Sequence, residues 1–430
     1  MLICASARCP VHTVGHHILF PSKPSSRWLA SIVSAAANPV PVASVHLSEE
    51  EIEAVCDVLR SGNLRQGEVC EQFEEDFARF VGSRHAIAVS SGTAALHLAY
   101  LAEIRPGDEV LVPAFTFMAT ASMVIAAGGT PVICDVDPET FTLDVRDAET
   151  RLTSRTRAVA PVHLFGNAAP VRAVQDLAGR FDLSIIWDAA QAHGTIYGGS
   201  DVGSLPGVSC YSFYPSKNMT TGEGGMITTD SDAVAAKARL LREHGATERY
   251  VHAAIGFNYR LTDFQAAIGI VQLRRLPQWL ERRRRNAERL RDAVAAVPWL
   301  TTQRATDDCW HSYHQFGVTV SPDFPPGGRD AVARALAAAG IQTAIHYPRA
   351  LHQQPILVEL LGTITLPVSE RLAESILCLP VHHLLSDGDI ERVASAVEDL
   401  PSCFGSGPLV ETVGAGEAAL VESSSSARHN

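Results

Sequence analysis

Residues 209–229 read Ser-Cys-Tyr-Ser-Phe-Tyr-Pro-Ser-Lys-Asn-Met-Thr-Thr-Gly-Glu-Gly-Gly-Met-Ile-Thr-Thr, and Lys217 sits near their middle. Two strand-like runs, 209–213 and 226–229, flank a loop too rich in Ser, Thr and Gly to be a buried helix. A lysine between buried strands is unusual, because desolvating an unpaired ammonium is costly and lowers its pKa. The same environment leaves an amine partly neutral and nucleophilic, which is what a Schiff-base lysine requires. An arbitrary lysine is a surface group. The pattern on both sides of this one reverses that reading.

Upstream, a strand at 85–89 runs into Ser90-Ser91-Gly92-Thr93-Ala94-Ala95-Leu96, where a helix opens. Such a turn presents free backbone N–H groups at the positive end of a helix dipole, the physical basis of a phosphate site. The Gly-x4-Gly-Lys spacing of a Walker loop is absent. Further strands are expected at 109–113, 130–134, 159–162 and 183–187, with a helix through residue 126 and another at 171–181. Alternating strands and helices predict an α/β large domain with a mostly parallel sheet, helices on both faces, and the ligand at the carboxyl ends of the strands. The polar residues collect at those ends: Ser90–Thr93, Thr116, His163, Asp188, Gln191 and Ser212. Asp188 closes an apolar strand. Alone it reads equally well as a turn cap; with Lys217 and the Gly92-Thr93 turn it reads as the partner of a protonated pyridine nitrogen.

The fold is expected to begin at Ser48, whose Ser-x-x-Glu spacing to Glu51 is a capping box, followed by helices to Gly62 and over about 71–81. Downstream come a helix at 232–244, a break at 256–261 and a helix at 263–273. The run Arg282–Arg285 reads as a solvated face rather than a binding patch. From about residue 286 a smaller C-terminal α/β unit is expected, with strands at 315–320 and 342–346 and helices at 329–339 and 390–400. The predicted organisation is a leader at 1–43, a large domain at 44–285, a small domain at 286–401 and a tail at 402–430. The leader lacks Asp and Glu, and the tail is rich in Gly, Ser and Ala, so both are expected to be disordered.

Composition narrows the function. Across 430 residues, 35 Lys and Arg face 47 Asp and Glu, a net charge of −12 that argues against nucleic acid as the main ligand. The nine cysteines form no Cys-x-x-Cys pair, so neither a zinc site nor a disulfide framework is signalled and a reducing cytoplasm fits. The apolar stretch at 28–37 is too short to span a membrane.

Together these motifs resemble the DegT/DnrJ/EryC1/StrS family of pyridoxal-phosphate sugar aminotransferases. They include Ser91-Gly92-Thr93, Pro113-Ala114-Phe115-Thr116-Phe117, Asp188-Ala189-Ala190-Gln191-Ala192-His193-Gly194, Ser212-Phe213-Tyr214-Pro215-Ser216-Lys217-Asn218, Gly222-Glu223-Gly224-Gly225 and Asn258-Tyr259-Arg260, in family order over about 48–400. The resemblance implies the PLP-dependent transferase fold type I, like aspartate aminotransferase, and pyridoxal 5′-phosphate (PLP) as cofactor. It implies that Lys217 forms the internal aldimine and shuttles protons, and that Asp188 pairs with the pyridinium. Gln191 would lie near the 3′ oxygen and Phe117 would stack on the ring. Gly92, Thr93 and Ser212 would bind the phosphate, joined by Asn258 from the partner subunit of a homodimer with shared sites. His346 and Tyr347 are placed near the substrate. Trp187 stands where the family commonly has an acidic residue. The nearest likeness is to perosamine-synthetase-like enzymes, implying transfer from glutamate or glutamine to a nucleotide-linked 4-keto-6-deoxy sugar. Three rivals stand beside it. One is a family dehydratase, which would carry histidine in place of Lys217; another is an enzyme for a cyclitol amine or aminobenzoate precursor; the third is a non-catalytic regulatory homologue.

Overall fold

The computed structural model describes residues 39–404. The large unit is built on a seven-stranded sheet. Its strands are β1 (His85–Val89), β2 (Glu109–Pro113), β3 (Thr130–Cys134), β4 (Thr156–Val159), β5 (Ser184–Asp188), β6 (Val208–Ser212) and β7 (Gly225–Thr229), in the order β1-β7-β6-β5-β4-β2-β3. The pairings β2–β3, β2–β4, β4–β5 and β5–β6 are parallel; only β7 runs against its neighbours. Every residue of β2 and of β7 is buried, as expected where helices cover both faces and strands cannot alternate polar with apolar residues.

Two helices follow from punctuation in the sequence. In α1 (Glu49–Ser61), Ser48 and Glu51 form the anticipated capping box and Gly62 ends the helix in the left-handed region at φ 77°. In α2 (Glu68–Val81) the apolar stripe Cys70, Phe73, Phe77 and Val81 is buried. It packs with Tyr211, Phe213 and Met226 on one face of the sheet. On the other face lie α3 (Gly92–Glu103), α4 (Ala119–Ala126) and α5 (Asp232–Arg242), contributing Leu98, Val124 and Ala238 to a core with Val89, Val112 and Ile186.

The long helix α6 (Asp263–Ala295) joins this unit to the smaller one. The sequence places a helix at 263–273 there, but a single 33-residue helix runs on to Ala295, with Pro277 inside it. Leu273, Leu276 and Leu280 belong to the large core and Ala287, Leu290 and Val294 to the small one. Burial at both ends outweighs the hydrogen bond that Pro277 removes. Arg283 corrects a second expectation. It is 4% exposed, not part of a solvated face, and its guanidinium donates to the carbonyls of Tyr313 (3.0 Å) and His314 (3.3 Å).

The small unit has an antiparallel sheet of β8 (Leu300–Thr302), β9 (Phe316–Val320) and β10 (Ile376–Leu379), in that order. It is covered by α7 (Gly328–Ala338), α8 (Asp387–Glu398) and the second half of α6. The expected strand at 342–346 is reduced to isolated bridges, Val40 with Ile341 and Ala344 with Cys378. Most of the expected leader and tail lies outside the described residues. Val40 is buried and pairs its backbone with Gly340 and Gln342, and residues 400–404 are helical. Among the described residues no helix is long and apolar enough to cross a membrane, and no cluster of side chains suits a metal ion.

Candidate active site

The carboxyl ends of β5 and β6 and the start of α3 meet at one edge of the sheet. Asp188 lies opposite Cys210, and Ser212 opposite Gly225, which is also the partner of Val89. A cavity of about 780 Å³ opens there, lined by Ser90–Thr93, Thr116, Phe117, Asp188, Gln191, Ser212, Lys217, His346 and Tyr347 among others.

One wall is the turn into α3. Ser91 caps that 12-residue helix, its hydroxyl accepting from the Ala94 amide at 3.1 Å. The amides of the first turn have no partner within the helix and carry its positive dipole end. Glycine is required here for space. A Cβ on Gly92 would come within 2.6 Å of the Ser212 Cβ, and one on Gly225 within 2.4 Å of the Ser91 carbonyl oxygen. The two segments therefore approach closely enough for backbone amides and the Ser212 hydroxyl to grip one anion.

Asp188 is buried at the floor. Thr120 Oγ1 donates to one carboxylate oxygen at 2.7 Å, and the Ala190 amide donates to the other at 3.1 Å. Burial pushes its pKa up, while Thr120, Ala190 and Lys217 pull it back toward the ionised form. Lys217 lies in the turn after β6, its amide bonded to the Tyr214 carbonyl at 2.9 Å. The residue is half-buried. Desolvation of its ammonium pushes the pKa down to about 8 against the opposing pull of Asp188.

Gln191 is fixed from both ends: Oε1 accepts from the Phe165 amide at 2.8 Å and Nε2 donates to the Tyr347 hydroxyl at 2.9 Å. Phe117, 57% exposed, stands at the mouth with its ring 6.3 Å from that of Tyr347. Asn258 is exposed, bridges to Glu243, and is not among the residues lining this chain's cavity. His163 is the one member of the strand-end polar set that does not line it. Its ring stacks on Trp187 at 5.3 Å and accepts from the Ala169 amide, and complete burial pushes its pKa down to about 3. It is a packing residue.

Two groups at the site carry no sequence signal. Thr120 is one helical turn beyond Thr116, which touches it at 3.2 Å, but nothing in the primary structure aims it at Asp188. His314 comes from the small unit nearly a hundred residues after the lysine and still lines the cavity beside it.

An anion cradle, a buried carboxylate beside an amine, an amine of depressed basicity and an aromatic wall are what PLP needs for its phosphate, ring nitrogen, carbonyl and ring face. The residues present fit that cofactor.

Comparison with known proteins agrees. The DegT/DnrJ/EryC1/StrS aminotransferase family model matches residues 45–398. A pleiotropic regulatory protein from Geobacillus stearothermophilus is 36% identical over 360 residues, covering 82% of this chain and 95% of that one. Among solved structures, DesV of S. venezuelae in complex with a ketimine intermediate superposes with TM-score 0.80 at 36% identity, covering 84% of this chain and 98% of that one. Spr1654 of Streptococcus pneumoniae, described as a sugar aminotransferase, has TM-score 0.79 in both its PMP and PLP forms, at 28% and 27% identity. It covers 85% of this chain and 98–99% of that one.

Proposed function

The chain belongs to the DegT/DnrJ/EryC1/StrS aminotransferase family and is a PLP-dependent aminotransferase; from that premise we propose that it moves an amino group from glutamate or glutamine to a nucleotide-linked keto-deoxysugar, with a 4-keto-6-deoxy sugar favoured. The observation that carries the reading is Lys217, an amine of lowered pKa on the wall of a cavity whose floor is the buried carboxylate of Asp188.

When bound, the cofactor supplies the electron sink for deprotonation at the amino-bearing carbon. The chain does the rest. The α3 amides of Gly92 and Thr93, with the Ser212 hydroxyl, hold the phosphate. Asp188, whose carboxylate form Thr120 and Ala190 favour against the opposing effect of burial, would hold the proton on the ring nitrogen. Lys217 Nζ takes the proton from the donor carbon and returns it to the acceptor. Gln191 is held in place by Phe165 and Tyr347 and orients the ring oxygen.

Room for a long acceptor supports the sugar-nucleotide assignment. A second hollow of about 250 Å³ adjoins the cavity, shares Thr116, Phe117 and Tyr347 with it, and reaches Arg349. His346 and Tyr347 would contact the sugar. The dimer with shared sites is supported by the hairpin before Asn258, where Tyr250 is 82% and Ile255 89% exposed; apolar side chains so placed favour burial against a second copy.

The name of the Geobacillus relative favours a regulatory reading, against which stand Lys217, Asp188 and Gln191 together in one cavity. Single-turnover amination decides between them. Purified enzyme loaded with amine from glutamate is mixed with a panel of ketosugar nucleotides. Product from a 4-keto-6-deoxy sugar supports the proposal. Loading without transfer to any sugar would overturn it.

A further inference from the structure

Behind the lysine loop lies a smaller cavity of about 90 Å³, whose wall includes Ser216, Arg283, His314, Gln315, His346 and His382. Ser216, His314, Gln315 and His346 also line the main cavity, so the two spaces share one partition. Liquid water takes about 30 Å³ per molecule, so the side cavity has room for a few waters or one carboxylate. Its chemistry is lopsided. No acidic side chain among the described residues lines it. Among the described residues no carboxylate forms an ion pair with Arg283, although the side chain is 4% exposed. The Nδ1 atoms of His314, His346 and His382 and the Nε of Arg283 are buried without a partner. A buried guanidinium without a counter-ion is an expensive arrangement, and such charges are ordinarily paired.

Among the described residues that line the main cavity, Lys217 is the only lysine or arginine, and the amino transfer occupies that amine. An amino-acid donor nonetheless carries a carboxylate one bond from the reacting carbon, and glutamate carries a second. Such a group needs a cation with fixed donors. Across the shared partition, in the side cavity, lies the Arg283 guanidinium.

We propose that this side cavity seats a carboxylate of the amino donor, with Arg283 as its counter-ion and the unpartnered imidazoles of His314 and His346 as its walls. The assignment rests on the aminotransferase reading and adds to it where the donor binds. Arg283 keeps its bonds to the Tyr313 and His314 carbonyls and meets the carboxylate with its remaining face. The sugar acceptor, which brings no carboxylate, does not use this seat.

The test uses PLP-loaded enzyme and two variants. Arg283→Met removes the charge. Ala344→Leu, from another wall of the side cavity, fills the space while leaving Arg283 and its carbonyl bonds in place. Glutarate is titrated calorimetrically, and the donor half-reaction is followed spectroscopically with glutamate, glutamine and alanine. Both variants are expected to weaken glutarate binding and to slow the donor half-reaction, Arg283→Met about thirty-fold or more as is usual when one partner of a buried charge pair is truncated, and Ala344→Leu by occupying the volume of the carboxylate. Transfer from preloaded enzyme to the sugar should be spared. Loss with all three donors assigns the seat to the α-carboxylate; loss with glutamate alone assigns it to the side-chain carboxylate. Unchanged glutarate binding in both variants, or an equal loss in both half-reactions, overturns the proposal. Wild-type enzyme that accepts amine from no donor would instead sink the transamination reading, and the glutarate titration would still decide on Arg283.

Discussion

Replacing Lys217 by methionine should stabilise the cofactor-free protein, although it destroys the enzyme. Methionine has a similar length and flexibility but no charge to desolvate. In the folded chain the lysine's pKa falls from 10.5 to about 8, burial being the larger effect and Asp188 opposing it. One pKa unit is about 1.4 kcal/mol, so holding the ammonium in place disfavours the native state by about 3 kcal/mol at pH 7. The sign follows from proton counting. Between pH 8 and pH 10.5 the lysine binds more protons in the unfolded chain than in the folded one, so its own contribution to stability rises with pH across that window. Below it both states are protonated and the full penalty applies; above it neither is. Urea denaturation of cofactor-free protein should therefore place Lys217→Met about 3 kcal/mol above wild type at pH 7, or a few degrees higher in Tm for a chain of this size. The gap should close as pH rises toward 10.5. A variant no more stable than wild type at pH 7, or a gap that is flat from pH 7 to 10.5, would refute the reasoning. The penalty has a use: at pH 7 about one lysine in ten is then neutral, against a few in ten thousand for an ordinary one.

Borohydride reduction of the PLP-loaded protein should bleach its visible band and tag Lys217; a tag on another lysine would move the reacting amine elsewhere. Asp188→Asn should leave the ring nitrogen largely unprotonated and lower kcat by about a hundredfold or more, and near-normal kcat would mean the ring nitrogen has another partner. Gly92→Ala drives a methyl against Ser212, 2.6 Å away, so PLP affinity measured by dialysis should fall at least about tenfold with little change in the absorption maximum of what remains bound. Mixed dimers of Lys217→Ala and Asn258→Ala should regain activity if Asn258 completes the partner's site, since one of the two sites is then intact. Tagged heterodimers no better than the separate variants would place Asn258 in its own chain's structure.

Local pattern carried far in this chain. The capping box at Ser48, the buried runs of β2 and β5 and the turn at Ser91-Gly92-Thr93 are short-range signals, because caps, pleats and turns are settled within a few residues. The parallel sheet follows from their alternation. The spacing of helices and strands also places Asp188 and Ser212 at strand ends, where such sheets bind ligands.

Other features depend on which surfaces meet. His163 sits at a strand end like Asp188 but turns into packing against Trp187, a difference of side-chain direction that residue type does not encode. The run Arg282–Arg285 reads as one polar face, yet Arg283 faces the junction of the two units and is buried there, because α6 is covered along its length by cores far apart in sequence. Thr120 reaches Asp188 across 68 residues, and His314 reaches the lysine's cavity from the other unit. The primary structure determined the sheet, the turn at Ser91-Gly92-Thr93 and the place of Lys217 in a loop between two strands, since each rests on neighbours in the chain. Tertiary structure alone decided which groups surround that lysine and carboxylate and shift their pKa values, since desolvation and charge coupling depend on what lies within a few ångströms in space.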